Sequence, residues 1–280
     1  NNFIESVDRF MESRIDRETS SIVLGGEETL VRPYPISIEW PPAALEGQTS
    51  VEDARRLVRE RLGVPAGTRI AVGIERFDYT KGIIDRIDAV DELLTHHPEW
   101  RGKFTLLQAA APTRSKLASY ASLQAEATRR AEEVNARHGA DGVAPVILQV
   151  RHHEPEEVYE LFRAADLCIV SSLHDGMNLV AKEFVAARDD EQGVLILSDF
   201  AGASRELTEA MIVNPYNPRE MAEAMAQALE MPQAEQKQRL RLMRDLVRRR
   251  NVHRWAGQML LDASALRKRR RLRPGEPPAP

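Results

Sequence analysis

The amino-acid sequence predicts an α/β fold built on a doubly wound parallel sheet. Short runs rich in aliphatic and β-branched residues alternate along the chain with longer segments of helical periodicity. This alternation is typical of a parallel sheet, because each helix returns the chain to the start of the next strand. Ligands of such sheets bind beyond the carboxyl ends of the strands, so the polar loops that follow the strands are the first candidates for a site.

The regular part of the sequence begins with a helix that Ser50 caps and that extends to about Leu62. Glu52 and Asp53 lie in its first turn, which is the usual composition of a helix start. The strands predicted after it are Arg69 to Gly73, Phe104 to Ala109, Val146 to Val150, Leu167 to Val170, Val194 to Leu197 and Met211 to Val213. The helices predicted among these strands cover residues 83–97, 115–138, 155–164, 177–188 and 218–230.

The two flanks of this region have a different pattern. Residues 3–15 carry apolar side chains at helical spacing, and a hairpin around Gly25-Gly26 and a proline-containing linker follow. Beyond residue 232 we predict one long helix and then a proline-rich, disordered tail. The predicted domains are an N-terminal segment with its linker, a sheet domain, a long C-terminal helix and a tail, at residues 1–42, 43–232, 233–272 and 273–280.

Composition and charge exclude several classes of protein. The net charge of −4 gives no overall attraction to nucleic acid or to an anionic membrane, and the basic run at residues 267–271 lacks the interleaved aromatic residues that stack on bases. Cys168 is the single cysteine, so no disulfide forms within the chain and a cytoplasmic location is expected. No apolar run is long enough to span a bilayer. The missing initiator Met is compatible with a fragment or a processed product.

The stretch from Asp166 to Arg188 contains a buried strand, a polar turn and the start of a helix. Asp175 lies where a helix N-cap belongs, and Gly176 lets the backbone turn tightly or approach a ligand closely. The N–H groups of a helix start lack partners within the helix, and together with the helix dipole they favour an anion. Glu183 lies about two turns further along. The alternatives to ligand binding are a plain N-cap for Asp175 and a solvated carboxylate for Glu183.

Arg76 and Lys81 flank the loop after the first regular strand. Two cations at the carboxyl end of a strand, beside a glycine, suit a diphosphate that must be neutralised as it leaves. A pair of solvated loop charges is the alternative. Arg114 follows the second regular strand, and the alternative for it is an arginine at a helix start, where the helix dipole disfavours a positive charge. Arg151-His152-His153 follow the third strand, and a surface loop residue is the alternative for each histidine.

Other catalytic signatures are missing from the sequence. We find no spacing of His and Cys that suggests a metal site, so no metal is expected. The sequence also lacks a P-loop, a G-x-G-x-x-G turn after the first strand and a G-x-S-x-G elbow. These absences weigh against a nucleotide hydrolase, a dehydrogenase and an esterase.

Three segments resemble the trehalose-6-phosphate synthase family, retaining glycosyltransferases with two Rossmann-like domains in the arrangement called GT-B. Asp175–Glu183, which reads DGMNLVAKE, is similar to the family's donor-binding segment. Glu75–Gly82, which reads ERFDYTKG, is similar to the family motif Asp-Arg-Leu-Asp-Tyr-(Ser/Thr)-Lys-Gly. Asp199–Leu207 resembles the Phe-Ala-Gly-Ala loop of the family. In order along the chain, the resemblance runs from about Arg32 to Trp255.

The resemblance implies how the donor would be held. Arg76 and Lys81 would grip the diphosphate of the nucleotide sugar, and Asp175 would bond the hydroxyls of the donor sugar, which makes these three the expected catalytic residues. The backbone after Asp175 would meet the diphosphate and complete the donor site, through Gly176, Met177, Asn178, Leu179 and Val180. Glu183 would accept both ribose hydroxyls, as a carboxylate with two acceptor oxygens can.

Two further residues take roles from the resemblance. His152 lies near where the family places residues against the uracil ring, and Arg114 aligns with the arginine that contacts the acceptor's phosphate. His174 departs from the family, where an arginine commonly precedes Asp-Gly. A whole N-terminal Rossmann-like domain precedes this region in the family, so residues 1–42 resemble only the remnant of that domain and a linker.

The resemblance implies glucosyl transfer from UDP-glucose to glucose 6-phosphate, with this chain as the donor-binding half and with no cofactor besides the substrates. Related synthases that use another phosphorylated acceptor, such as glycerol 3-phosphate or a cyclitol phosphate, remain an alternative. A module that binds a UDP-sugar without turnover is a second one. The expected partners are UDP-glucose and a sugar phosphate, and the sequence leaves open whether the chain forms homo-oligomers.

Overall fold

A computed structural model describes residues 2–112 and 118–272 of the chain. The chain divides into two compact units, one formed by Ile36–Arg254 and one by Asn1–Pro35 together with Trp255–Pro280. The domain limits expected at residues 42 and 232 stay a prediction.

The smaller unit begins with a helix and an antiparallel sheet. Its N-terminal elements are α1 (Asn2–Phe10), β1 (Arg14–Asp16), β2 (Ser21–Leu24) and β3 (Glu27–Leu30). The predicted hairpin is confirmed, with Gly25 and Gly26 at positive φ between β2 and β3. The helix is shorter than the helical spacing of residues 3–15 indicated, because Ile15 pairs with Ile22 in the sheet instead of extending α1.

The larger unit contains the predicted parallel sheet. Among the described residues its strands are β4 (Arg69–Arg76), β5 (Phe104–Ala111), β6 (Val146–Val150), β7 (Leu167–Val170), β8 (Val194–Ser198) and β9 (Met211–Val213). They form one six-stranded sheet in the order β6-β5-β4-β7-β8-β9, and every neighbouring pair is parallel. The predicted fold class is confirmed.

Helices cover both faces of this sheet. They are α2 (Val51–Leu62), α3 (Ile83–His96), α4 (Ala118–His138), α5 (Pro155–Ala164), α6 (Leu179–Ala187), α7 (Pro218–Glu230) and α8 (Gln233–Arg249). In strand β5, Leu107 belongs to the apolar cluster on one face and Leu106 to the cluster on the other. Because successive side chains of a strand point to opposite faces, a strand buried on both sides reads as a continuous apolar run.

The order of the strands defines where a ligand can bind. From β4 the chain moves outward through α3 to β5 on one side, and from β7 it moves outward through α6 to β8 on the other. The adjacent strands β4 and β7 therefore form the topological switch point of the sheet. In open α/β sheets the crevice at the carboxyl ends of such a pair is where ligands bind.

The predicted single C-terminal helix is wrong. Two helices occupy this region, α8 and α9 (Val252–Leu272), and the chain leaves helical geometry at Arg250, with φ −109° and ψ 50°. The side chain of Asn251 then accepts a hydrogen bond from the Arg254 N–H, which caps the second helix. The periodicity of apolar residues continues across this break, so the pattern alone could not reveal it. The proline-rich tail lies outside the described residues.

Candidate functional site

The loops after β4 and β7 meet at the switch point of the sheet. Lys81, on the first loop, donates a hydrogen bond from Nζ to Oδ2 of Asp175, on the second, over 2.6 Å. Both side chains are largely buried, at 18% and 16% exposure. The structure therefore brings together two of the three residues expected to be catalytic, which lie far apart in the sequence.

Asp175 is held in its ionised form by its neighbours. Burial alone would raise the pKa of this carboxyl group, but the hydrogen bond and the charge of Lys81, the Met177 N–H and the Asn178 side chain outweigh it. The pKa of Asp175 consequently lies below its ordinary value. A carboxylate in this state offers hydrogen-bond acceptors and a negative charge at the centre of the crevice.

Backbone contacts lock the two loops together. The Leu173 N–H donates to the Thr80 carbonyl over 2.7 Å, and the Ser171 hydroxyl donates to the Gly82 carbonyl over 3.0 Å. Gly82 has φ +64°, and a Cβ placed on it would lie 2.2 Å from the Ser171 carbonyl oxygen. A residue with a side chain is excluded there on both counts.

A third loop, which follows β8, supports the Asp175 turn from the other side. The Asp175 N–H donates to the Phe200 carbonyl over 3.1 Å, and the Gly202 N–H donates to the Asp175 carbonyl over 3.0 Å. A Cβ on Gly202 would lie 2.1 Å from the Gly176 carbonyl oxygen. The resemblance to the family covers this loop, but the expectations from the sequence gave Gly202 no role. The local sign of this close backbone contact in the sequence is a glycine followed by another small residue, Ala203.

The predicted N-cap of α6 is wrong by three residues. Asn178, with φ 73° and ψ 93°, caps the helix by accepting a hydrogen bond from the Ala181 N–H over 3.2 Å. Asp175 instead closes a tight turn by accepting from the Met177 N–H over 3.2 Å. Aspartate and asparagine both cap helices and both form tight turns, so the sequence alone does not tell which of the two caps α6. The aspartate lies at position 175 in the structure, where Lys81 on the loop after β4 pairs with its charge.

The start of α6 leaves donors and space for a ligand. Leu179 and Val180 are the first two residues of the helix, so their N–H groups have no acceptor within it. A Cβ on Gly176 would meet nothing within 4 Å, and no left-handed φ requires glycine there. The backbone turn at Gly176 therefore does not require a glycine. The open space beside it is compatible with close approach of a ligand.

Glu183 is a largely buried carboxylate on α6. Burial raises its pKa above the ordinary value for glutamate, and no group in the described part of the chain donates a hydrogen bond to it. Its negative charge adds to the burial that raises the pKa of the neighbouring Tyr159. Glu183 lies one turn beyond the start of α6, so a largely buried carboxylate with a raised pKa is placed beside the candidate ligand site.

Arg76 ends β4 and is exposed. Near it, burial works to raise the pKa of Asp78, but hydrogen bonds from the Thr80 backbone and side chain, with the charges of Lys81 and Arg76, lower it on balance. Asp78 thus shapes the loop between the two cations. Among the described residues Arg76 forms no ion pair, and its side chain is exposed to solvent.

No hydrogen bond or ion pair among the described residues joins His152 to this cluster. The His152 side chain is 73% exposed and lies 3.6 Å from Glu154, whereas His153 is buried and bonds Gln149 over 3.1 Å. Burial, with Arg151 nearby, lowers the pKa of His153. The sequence gives no reason to distinguish the two adjacent histidines, but in the structure one side chain is exposed and the other is buried. Arg114 lies outside the described residues.

Two kinds of feature are absent from the described residues, a cluster of metal ligands and a membrane-spanning helix. Across residues 2–112 and 118–272, no group of three or more His, Cys, Asp or Glu side chains is placed to hold a metal ion. Over the same part of the chain, no helix is both long enough and apolar enough to cross a membrane.

A parallel sheet with an ion pair, a helix start and a largely buried carboxylate at its switch point is typical of α/β proteins that bind nucleotides. The chain belongs to glycosyltransferase family 20, whose model matches residues 1–265. It is 37% identical over 255 residues to a bifunctional trehalose-6-phosphate synthase/phosphatase of Thermoproteus tenax, covering 91% of this chain and 34% of that protein. It is 36% identical to a trehalose-6-phosphate synthase of Salmonella arizonae, covering 85% of this chain and 50% of that one.

Solved structures agree with this assignment. An α,α-trehalose-phosphate synthase (UDP-forming) from Burkholderia xenovorans in complex with glucose-6-phosphate matches with a TM-score of 0.84 and 33% identity, over 93% of this chain and 57% of that one. The Escherichia coli protein bound with UDP-2-fluoro glucose matches with a TM-score of 0.85 and 31% identity, with the same coverage. The chain thus spans between a third and about half of these curated relatives' length.

Proposed function

We propose that this chain supplies the donor-binding half of a glycosyltransferase that moves glucose from UDP-glucose to glucose 6-phosphate. The products would be UDP and trehalose 6-phosphate, with the configuration of the transferred sugar retained. The observation that carries the proposal is the Lys81–Asp175 pair at the switch point, beside the free N–H groups of α6. The names of the relatives, UDP-forming trehalose-phosphate synthases among them, support the choice of donor and acceptor.

The cations and the helix start would hold the diphosphate. Lys81 and Arg76 would bond its oxygens, and the N–H groups of Leu179 and Val180 would add neutral donors beside the positive end of the helix dipole. Charge builds up on the departing UDP as the sugar–oxygen bond breaks. Donors that are already in place stabilise that charge without reorganising, which lowers the barrier of the step.

The carboxylates would hold the two sugars of the donor. Asp175 would accept hydrogen bonds from hydroxyls of the glucosyl ring, for which its lowered pKa keeps it ionised. Glu183 would accept both ribose hydroxyls, and this would give its unpaired oxygens the partners that the protein does not supply. His152 would approach the uracil ring and Arg114 the phosphate of the acceptor.

The proposal needs neither a protein nucleophile nor a cofactor. The acceptor hydroxyl and the leaving phosphate would meet on one face of the sugar, so the protein contributes orientation and electrostatic stabilisation. A cytoplasmic location is part of the proposal, and the free, buried thiol of Cys168 is compatible with it.

Calorimetric titration tests the proposal. The chain is titrated with UDP and UDP-glucose, and with glucose 6-phosphate and NAD as ligands of other classes. We expect the two uridine nucleotides to bind and NAD not to bind. Binding of NAD in preference to UDP, or no binding of UDP by a folded sample, would overturn the assignment of the donor site.

The chain as given also supports a second candidate, a module that binds the donor without turnover. It covers 34% to 50% of the relatives named above, and the relatives' activity belongs to their full length. An assay of UDP release with the chain alone, and then with the remaining part of a relative added, separates the two. Release only in the mixture supports the synthase half, and binding without release in either sample supports the module.

A further inference from the structure

A buried polar cluster lies beneath the loop that carries the two candidate cations. Arg86, on α3, is fully buried and places Nη1 2.5 Å from Glu75 Oε1 and 2.5 Å from Gln108 Oε1. Its Nη2 lies 3.2 Å from Glu75 Oε2, which makes the pair bidentate. Nothing in the proposed donor chemistry uses these side chains, and the expectations from the sequence assigned them no role.

Most of the polar atoms of this cluster are satisfied within it. The Gln108 amide donates to Glu75 Oε1 over 2.9 Å and to the Gly73 carbonyl over 3.1 Å. Arg86 Nε, in contrast, is buried without a partner in the described residues. A buried ion pair seldom stabilises a fold more than apolar side chains of the same size would, because both charges lose their hydration. Stability alone is therefore a weak reason for this cluster.

The fold reserves space for the arginine. A Cβ on Gly73 would lie 2.1 Å from Arg86 Nη1 and 2.7 Å from Gln108 Oε1. Gly73 is in the middle of β4, where a glycine weakens a strand and commonly marks a close approach. Here the group that approaches is the guanidinium itself.

The cluster connects the two ends of the loop. Glu75 directly precedes Arg76, so its bond to Arg86 fixes the backbone from which Arg76 extends. Arg86 Nη2 also donates to the carbonyl of Lys81 over 3.4 Å, at the other end of the loop. One guanidinium thus contacts the backbone of one candidate cation and the neighbour of the other.

We infer that Arg86, held by Glu75 and Gln108, is a positioning residue that sets Arg76 and Lys81 at the spacing a diphosphate requires. The inference rests on the proposed function, since it assumes a diphosphate ligand. A planar fork is suited to this role, because it bonds a carboxylate and a carbonyl in fixed directions, as an ammonium group cannot. A binding group that is displaced by about 1 Å loses much of its effect on the reaction rate. A buried cluster that holds the two cations in place would therefore favour catalysis.

The test compares two nucleotides in an Arg86→Lys variant. Lysine keeps the charge but loses the fork, so the buried carboxylate stays paired while the Lys81 backbone is released. By calorimetry we expect UDP to bind about tenfold more weakly, which is the effect of losing one well-placed charge-assisted bond. UMP, which lacks the second phosphate, is expected to weaken less. A cluster with a purely structural role would leave the ratio of the two affinities unchanged.

A double-mutant cycle adds a second readout. If Arg86 acts through Lys81, the fold-loss of UDP affinity caused by Lys81→Ala is smaller in the Arg86→Lys background than in the unchanged chain. Additive losses would overturn the inference. Should Arg86→Lys not fold, the paired change Glu75→Leu with Arg86→Met removes both charges at similar volume and serves in its place.

Arg188 provides the matched control. It is as buried as Arg86, pairs with Asp190 and donates to the Ala165 carbonyl, but it lies after the end of α6, at the other end of that helix from its Asn178 cap. Arg188→Met is expected to lower stability and leave the UDP affinity of the folded protein unchanged. Unchanged UDP affinity in folded Arg86→Lys would sink the inference and leave the proposed function standing. No UDP binding by the unchanged chain would remove both.

Discussion

Lys81 and Asp175 form an ion pair, so each of the two charged groups is bonded to the other and not to a ligand. The 2.6 Å bond between Nζ and Oδ2 joins a residue proposed to hold phosphate to one proposed to hold sugar. A diphosphate that enters the crevice therefore competes with Asp175 for the ammonium group. A donor that carries glucose supplies hydroxyls to the carboxylate as it draws Lys81 away, whereas free UDP does not.

The first prediction follows from this competition. Asp175→Asn removes a negative charge beside the diphosphate and frees Lys81, so UDP is expected to bind a few-fold more tightly, in keeping with about 1 kcal/mol for a partly exposed pair. UDP-glucose is expected to gain less or to lose affinity, because the sugar loses its acceptor. Calorimetry with both nucleotides measures the difference.

Asp245→Asn is the control for Asp175→Asn, since it changes the net charge equally at an exposed position on α8. Its affinities for both nucleotides should equal those of the unchanged chain. A fall in UDP affinity in Asp175→Asn that matches the fall in UDP-glucose affinity would contradict the competition.

The second prediction concerns the cations themselves. Lys81→Ala and Arg76→Ala are each expected to weaken UDP binding by about 1–3 kcal/mol, the net value of a charge-assisted hydrogen bond. Added salt should reduce the loss for the exposed Arg76 more than for the buried Lys81. Lys103→Ala, at an exposed turn before β5, removes the same charge away from the crevice and should leave the affinity as it is.

The third prediction tests the ribose assignment of Glu183. In Glu183→Gln the loss of affinity should be larger for UDP than for an analogue with a 2′,3′-dideoxyribose, because only the first has hydroxyls to donate. Isothermal titration of the unchanged chain and of Glu183→Gln with both ligands measures the difference between the two losses of affinity. Equal losses with the two ligands would remove Glu183 from the ribose site.

The fourth prediction concerns pH. Burial raises the pKa of Glu183 in the folded chain above its value in the unfolded chain, so ionisation of this group opposes folding. The cost is absent below the ordinary glutamate pKa and develops as pH rises through the raised value of the folded state. Glu183→Gln should therefore be more stable than the unchanged chain at neutral pH and equally stable in acid.

Urea denaturation at a series of pH values measures this difference. Asp175 carries the opposite sign: its lowered pKa stabilises the fold above the ordinary aspartate value, and this contribution is lost as pH falls through the folded value. Asp175→Asn should thus lose stability relative to the unchanged chain at neutral pH. A stability gap for Glu183→Gln that widened in acid would show that burial does not govern the carboxyl group.

The fifth prediction uses two glycines that face each other. Gly202→Ala places a methyl group 2.1 Å from the Gly176 carbonyl oxygen, so the loops must separate, at a cost of about 1–3 kcal/mol of stability. Gly176→Ala meets nothing within 4 Å and should fold normally. If a ligand approaches the backbone at Gly176, this second variant nevertheless binds UDP more weakly. Thermal denaturation and calorimetry on the pair check both expectations.

The sequence predicted the elements of the sheet better than the contacts of the site. Strands such as Val146–Val150 and the helix that Ser50 caps are confirmed with their ends, because apolar runs and caps are local signals. The cap of α6 at Asn178 and the cluster around Arg86 depend on neighbours that are distant in the chain. Periodicity carries no information about such contacts. The only local sign of the cluster around Arg86 was the presence of a glutamate, Glu75, in a buried strand.

The glycine contacts at the crevice have a consequence for anyone who wishes to redesign it. The loops after β4, β7 and β8 touch through main-chain atoms, at Gly82 with Ser171 and at Gly202 with Gly176. Exchanging one loop for that of another protein would change the surface against which the other two are fitted. A graft intended to alter the choice of donor should therefore transfer all three loops as a set.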